Sequence, residues 1–295
     1  MSDLEQIAII RLQEAARMSE RYYGLPLVVT TSGGKDSSVC VELARRAGIN
    51  FEIMHNHTTA DAPETVRFLR SEFKRLEADG RKIIINYPEY KGKRTSLWEL
   101  IPQKLMPPTR LSRYCCAILK ERGGAGRYIT TGVRWAESNA RRKRGIYETI
   151  HANPSKKIVL NNDNDDRRRL FERCELRHKA VCNPIIDWTD HDVWDFLTSE
   201  NIPVNPVYDY GFTRCGCVGC PSANKIRYKE FARWPKFQNM WIMAFDNMLK
   251  VRQSKGLPTS WNNKEDDFHW WMEDGALPGQ IEFDDLDDME DYEDE

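Results

Sequence analysis

A chain of 295 residues, 40% hydrophobic and 11% aromatic, can bury a sizeable core and is long enough for one α/β domain with a smaller elaboration. It has no run of about 18 apolar residues to cross a membrane, and Met1–Gln6 lacks the basic, apolar pattern of a targeting segment, so a cytoplasmic protein with no membrane contact is expected. The net charge of −1 hides an asymmetry: residues 281–295 hold ten acids and no base, leaving 44 bases against 35 acids elsewhere, which reads as a solvated tail or as a nucleic-acid mimic covering a basic face.

Residues 2–19 place Leu4, Ile7, Ile10, Leu12 and Ala15 near helical spacing. Leu25–Thr31 is a short β-branched strand that runs into Ser-Gly-Gly, and Asp36–Ala47 follows as a helix stopped by Gly48. Strands are expected at Phe51–Met54, Lys82–Tyr87 and Arg127–Val133, with a charged helix over Pro63–Ala78 that opens on proline. A further apolar run, Pro184–Trp188, precedes Thr189, whose spacing to Asp192 is a helix-capping signature for a helix ending near Asn201. Asn161–Arg169 is too polar for a core and reads as an exposed inserted loop, and Lys225–Lys250 carries a helical pattern in which Trp234, Trp241 and Phe245 are core. Alternating strands and helices indicate an α/β fold with a doubly wound, mostly parallel sheet. The expected organisation is an N-terminal helix over 1–24, a nucleotide-binding α/β domain over 25–205, a cysteine motif with C-terminal helices over 206–262, and an acidic, disordered tail over 263–295.

The chemistry concentrates at Ser32-Gly33-Gly34-Lys35-Asp36-Ser37, between the first strand and its helix. Glycines let backbone approach a phosphate, and first-turn amides point at it. Ser32 and Ser37 add hydroxyls, and Lys35 can neutralise a leaving pyrophosphate. Asp36 is either a Mg²⁺ ligand or an acid stabilised by the helix dipole. The spacing is not the Walker pattern.

These residues resemble the pyrophosphate loop of the ATP-pyrophosphatase (PP-loop) superfamily. Cys115-Cys116 with Lys120, Gly132-Val133-Arg134 with Glu137-Ser138 and Arg141, Ala62–Thr65, and Pro184–Trp194 leading to Tyr208-Asp209 resemble elements of phosphoadenosine phosphosulfate (PAPS) reductases. The resemblance covers roughly residues 25–220. It implies an adenine nucleotide alpha hydrolase-like fold with a cysteine-containing helical elaboration. It also implies ATP or a related nucleotide held by Ser32, Gly33, Gly34, Lys35, Asp36, Ser37, Gly132, Arg134 and Arg141, with Lys35 and Arg134 catalytic and Mg²⁺ as companion.

Eight cysteines without a signal peptide favour metal or catalysis over disulfides. Cys217-Val-Gly-Cys220 has the gap that lets two sulfurs meet one metal or cluster. With Cys115 and Cys116 it is similar to the four-cysteine pattern that holds a 4Fe-4S cluster in adenylyl sulfate reductases; zinc is the rival. Cys174, Cys182 and Cys215 are alternative ligands, Cys174 also reads as a reactive thiol beside basic residues, and Cys40 reads as a buried hydrophobe.

Reductases of this family carry a nucleophilic cysteine near the chain end, and no cysteine follows Cys220 here. The expected reaction is therefore cleavage of ATP to AMP and pyrophosphate, adenylating an acceptor for sulfur transfer, as in the DNA phosphorothioation ATP-pyrophosphatase it also resembles. Sulfonucleotide reduction is the alternative, and a non-catalytic nucleotide- and nucleic-acid-binding regulator is the alternative of another class. The basic surplus and the run Arg141–Arg144 suit a polyanion, so nucleic acid and a sulfur-donor protein are the candidate partners. His55, His57 and Asp61 follow the second strand, where this family's adenosine sits.

Overall fold

The computed structural model describes residues 2–121, 123–150, 159–160 and 179–273. The expected loop Asn161–Arg169, Cys174 and the acidic residues 281–295 lie outside the described residues.

Nine helices among the described residues are numbered α1 to α9, and nine strands β1 to β9. Helix α1 (Asp3–Tyr23) starts on Ser2, whose hydroxyl accepts from the Glu5 amide at 3.2 Å, and ends on Gly24 at φ +63°. Its apolar stripe of Ala8, Leu12 and Ala15 is fully buried. The chain continues through β1 (Leu27–Thr30), α2 (Lys35–Arg46), β2 (Phe51–Asn56), α3 (Pro63–Ala78) and β3 (Ile83–Asn86). After the short pair β4 (Glu89–Tyr90) and β5 (Lys93–Arg94) come α4 (Leu97–Lys104), α5 (Tyr114–Leu119), β6 (Tyr128–Thr130), β7 (Tyr147–Ile150), β8 (Val159–Leu160), β9 (Lys179–Cys182) and α6 (Asp190–Ser199). Helices α7 (Ile226–Arg233), α8 (Pro235–Ser254) and α9 (Lys264–Glu273) follow.

Seven strands pair in the order β3-β2-β1-β6-β9-β7-β8. The pairs β3-β2, β2-β1, β1-β6 and β6-β9 are parallel, whereas β7 runs antiparallel to β9 and β8. This is the expected doubly wound, mostly parallel sheet; β1 lies third in the order, with β2 and β3 added on one side of it and β6 on the other, the switch point where such sheets bind ligands. Near-continuous burial of Leu27, Val28, Val29, Ile53, Val181 and Cys182 matches strands covered on both faces.

Two compact units divide the chain: Met1–Glu89 with Cys116–Cys217, and Tyr90–Cys115 with the chain from Val218. The first holds the seven-stranded sheet. The second is helical, with Trp98, Phe237, Trp241, Phe245 and Trp271 forming its aromatic core; Trp241 and Trp271 stack with ring centres 4.5 Å apart.

The apolar run Pro184–Trp188 forms a buried turn just after β9, the strand beside β6. Two expectations change. The helical pattern of 225–250 breaks into α7 and α8 at Pro235, because a residue preceding proline is driven out of the helical region and Trp234 sits at φ −125°, ψ 69°. Lys264–Glu273, within the stretch expected to be an acidic tail, forms α9, held by burial of Trp271 and Met272. Among the described residues no helix is long and apolar enough to cross a membrane.

Candidate phosphate-binding site

At the end of β1 the chain turns through Thr31, Ser32 and Gly33 into the N-cap Gly34 of α2. Gly33 has φ +75°, and a Cβ there would come within 3.1 Å of Leu69 Cγ, so both conformation and space demand glycine. Gly34 is extended, and a Cβ would meet nothing closer than 3.4 Å. Its missing side chain leaves the first turn of α2 open. The Ser37 hydroxyl donates to Gly34 O at 2.8 Å and accepts from Ser32 N at 3.3 Å, while Gly33 N donates to Thr31 Oγ1 at 3.2 Å. Among the described residues the amides of Gly34, Asp36 and Ser37 have no hydrogen-bond partner. Three open donors at a helix N-terminus make a cradle for an anion.

Elements far along the chain clamp this turn from outside. Asn205, almost fully buried, donates to Gly33 O at 3.0 Å, Thr65 Oγ1 at 3.1 Å and Cys215 Sγ at 3.2 Å. Tyr208, in the 3₁₀ turn Pro206–Tyr210, accepts from Lys35 N at 2.9 Å, and burial pushes its phenol above its ordinary range. Gly132, after β6, lies so close to α2 that a Cβ would be 2.8 Å from the Asp36 carbonyl carbon.

Four charges complete the site. Lys35 and Arg134 are both buried, with side chains 7% and 2% exposed. Asp36 meets Lys35 Nζ at 3.1 Å and Arg134 Nε at 2.7 Å. One oxygen of Asp190, Oδ1, meets Lys35 Nζ at 3.0 Å and Arg134 Nη2 at 2.9 Å. Partial burial works against charge on Asp190, but these two cations outweigh it and hold its carboxyl below the usual range. Asp190 is carried on the first turn of α6, whose cap Thr189 and Asp192 form the expected capping box.

Of the residues expected from sequence, Ser32 to Ser37, Gly132 and Arg134 therefore stand together. Arg141 instead pairs with Glu137, which also accepts from the Arg134 amide at 2.9 Å. Within the run Arg141–Arg144, Arg144 is likewise paired, with Glu148. His55 Nδ1 is 2.9 Å from Thr31 O, with burial lowering its pKa, and His57 stacks on Tyr87 at 5.5 Å. Asp190, Asn205 and Tyr208 were not assigned roles by sequence reasoning. Asp190 reads locally as an ordinary first-turn acid, and only the segment Pro184–Trp194 running on to Tyr208 marked the neighbourhood.

The cysteines divide by environment. Cys40 and Cys182 are fully buried in the sheet unit, Cys182 with its thiol 3.8 Å from Arg11 O. Cys215 lies against the loop, 3.3 Å from Thr65 Oγ1, and burial pushes its thiol up to about 11. Cys115, Cys116, Cys217 and Cys220 are outside disulfides and of intermediate exposure. Gly219, at φ +77°, makes the turn between the last two, where a Cβ would come 2.3 Å from Trp241 Nε1 and 2.7 Å from Phe231. That turn is tied by Trp241 Nε1 donating to Val218 O at 3.1 Å and Gly219 N donating to Glu230 at 2.7 Å. Among the described residues no three His, Cys, Asp or Glu side chains converge as a metal-binding group.

A mostly parallel sheet in which β1 enters an open glycine turn, with two buried cations beside the helix start, defines a doubly wound α/β protein with a PP-loop type of nucleotide site. Residues 26–223, about two thirds of the chain, match the phosphoadenosine phosphosulfate reductase domain, and the protein belongs to that family. It is similar to an adenosine 5'-phosphosulfate reductase of Lysinibacillus sphaericus, 24% identical over 217 residues that cover 70% of this chain and 78% of that protein. An uncharacterized protein of Methanocaldococcus jannaschii is 25% identical over 214 residues, 72% of this chain and 45% of that protein, so the chain spans under half the length of that relative. A phosphoadenylyl-sulfate reductase structure from Candida auris, a phosphate complex, overlaps 70% of this chain and 87% of its own at a TM-score of 0.44 and 17% identity.

Proposed function

We propose that this chain cleaves ATP between its α and β phosphates and transfers AMP to an oxygen of an acceptor, which then takes up sulfur. The observation that carries this reading is the pair of buried cations, Lys35 and Arg134, at the first turn of α2 beside three open amides. In the step, the acceptor oxygen bonds to the α phosphorus, the bond to the bridging oxygen breaks, and pyrophosphate leaves. Charge grows on the leaving oxygens, where Lys35 Nζ, Arg134 and the amides of Gly34, Asp36 and Ser37 stabilise it without reorganisation. Hydrosulfide or an equivalent donor then displaces AMP from the acceptor. For the acceptor-activating step no thiol is needed, which agrees with the protonated state of Cys215 at neutral pH.

A 4Fe-4S cluster, with zinc as rival, is proposed from the residue types alone, four cysteines outside disulfides at Cys115, Cys116, Cys217 and Cys220. Among the described residues no group of three His, Cys, Asp or Glu side chains fits a metal, and Asp36, the candidate Mg²⁺ ligand, is engaged by Lys35 and Arg134, so the reaction is assigned to the loop residues without either metal. The relatives favour one second reading, reduction of a sulfonucleotide held by the same loop.

The deciding experiment incubates anaerobically purified protein, assayed for iron and sulfide, with α-labelled ATP and candidate acceptors. Pyrophosphate and AMP, reduced about 10² to 10³-fold in Lys35→Ala, are the expected result. Sulfite release from a sulfonucleotide without ATP cleavage would replace this reading by the reductase one.

A further inference from the structure

The 3₁₀ turn Pro206–Tyr210 does more than brace the phosphate loop. Asn205 starts it, accepting from Val207 N at 3.2 Å through its side-chain oxygen while its side-chain nitrogen holds Gly33 O and Thr65, so turn and loop share one anchor. Pro206 restricts the first residue of the turn, and Gly211 at φ +72° ends it. The Tyr208 ring stands edge-on to Trp194, with ring centres 5.2 Å apart and planes at 86°. Its hydroxyl therefore has a fixed place. The oxygen lies 2.9 Å from Lys35 N and would be 3.5 Å from a Cβ on Gly34, at the helix start where the amides of Gly34, Asp36 and Ser37 are open. A phenol offers one hydrogen as donor and its oxygen as acceptor. The Lys35 amide uses the oxygen, and among the described residues the hydrogen has no acceptor. Burial above all, with the Asp36 and Asp190 carboxylates adding to it, keeps that hydrogen in place at neutral pH.

We infer that the Tyr208 hydroxyl is a further donor of the cradle, giving its hydrogen to a bound pyrophosphate while its oxygen keeps the Lys35 amide. The inference rests on the proposed function only in taking pyrophosphate as the anion. The rival role is a plain brace, in which the hydroxyl does nothing but occupy the Lys35 amide. The two roles differ in sign. Removing a brace frees one more backbone amide for the anion, so binding holds or tightens. Removing a donor loses a hydrogen bond to a charged group, and binding weakens.

The test is isothermal titration calorimetry of the full chain with pyrophosphate alone, comparing the unsubstituted protein, Tyr208→Phe and Tyr208→3-fluorotyrosine. Tyr208→Phe keeps the ring beside Trp194 and should bind pyrophosphate about tenfold more weakly. Fluorine next to the hydroxyl makes the phenol a stronger donor and a weaker acceptor, so the fluorinated protein should bind more tightly than the unsubstituted one. This second arm separates donation from distortion, since a disturbed loop would weaken binding in both variants. Equal or tighter binding by Tyr208→Phe, or binding that is no tighter in the fluorinated protein, overturns the inference. Neither ATP nor acceptor is present in this assay. The expected pyrophosphate results from a protein that cleaves no ATP therefore fail the proposed function alone, whereas ATP cleavage with pyrophosphate affinity untouched by Tyr208→Phe fails this inference alone.

Discussion

Asp267 is fully buried on α9, and neither of its carboxylate oxygens has a hydrogen-bond partner among the described residues. Nearby Arg252 directs its guanidinium to carbonyls, donating to Leu105 O at 2.6 Å and to Pro258 O, and so offsets little of the desolvation. Burial pushes the Asp267 pKa up to about 7 from 3.8, with Arg252 pulling in the opposite direction. Between about pH 4 and 7 the folded state therefore binds a proton that the unfolded state has released. Stability must fall as pH rises through that window, the reverse of a salt-bridged carboxylate. Carried to pH 8, the difference corresponds to roughly 4 kcal/mol as an upper figure. Asp267→Asn removes the charge but leaves an amide that also lacks partners, so a gain of about 2 kcal/mol at pH 8, vanishing near pH 4, is expected. Urea unfolding followed by tryptophan fluorescence, at half-unit steps from pH 4 to 8, measures it for both proteins. A stability difference that stays constant across the range, or is largest at pH 4, refutes the reasoning.

Two further substitutions probe the loop and the cysteine turn. Asp190→Asn should keep the fold, because the side chain is 64% exposed, and should raise pyrophosphate affinity about tenfold by removing the anion that now shares Lys35 and Arg134; isothermal titration calorimetry reads this, and weaker binding would mean that Asp190 assists the ligand instead. Gly219→Ala combines a left-handed φ with overlap on buried Trp241 and Phe231 and should cost about 2 to 4 kcal/mol in urea unfolding; a cost below about 1 kcal/mol would show that the turn relaxes freely.

Local sequence determined the parts whose physics is local. Pro63–Ala78 begins and ends as read, because proline at the first turn and an amphipathic pattern act within the segment. The strand, glycine turn and helix over residues 27–46 were legible for the same reason, and with them the phosphate loop and Lys35. The capping box at Thr189 needed only a three-residue spacing. Tertiary structure decided what depends on distant partners. Arg134 and Arg141 belong to one motif, yet one is buried against Asp36 and Asp190 while the other pairs with Glu137, since only packing against α2 and α6 separates them. Asp190 and Tyr208 reach the loop across more than 150 residues of chain, and Tyr90–Cys115 joins helices that begin over 100 residues later. Such contacts leave no periodic trace, because the side chains that make them are chosen by where the sheet and helices bring the backbone.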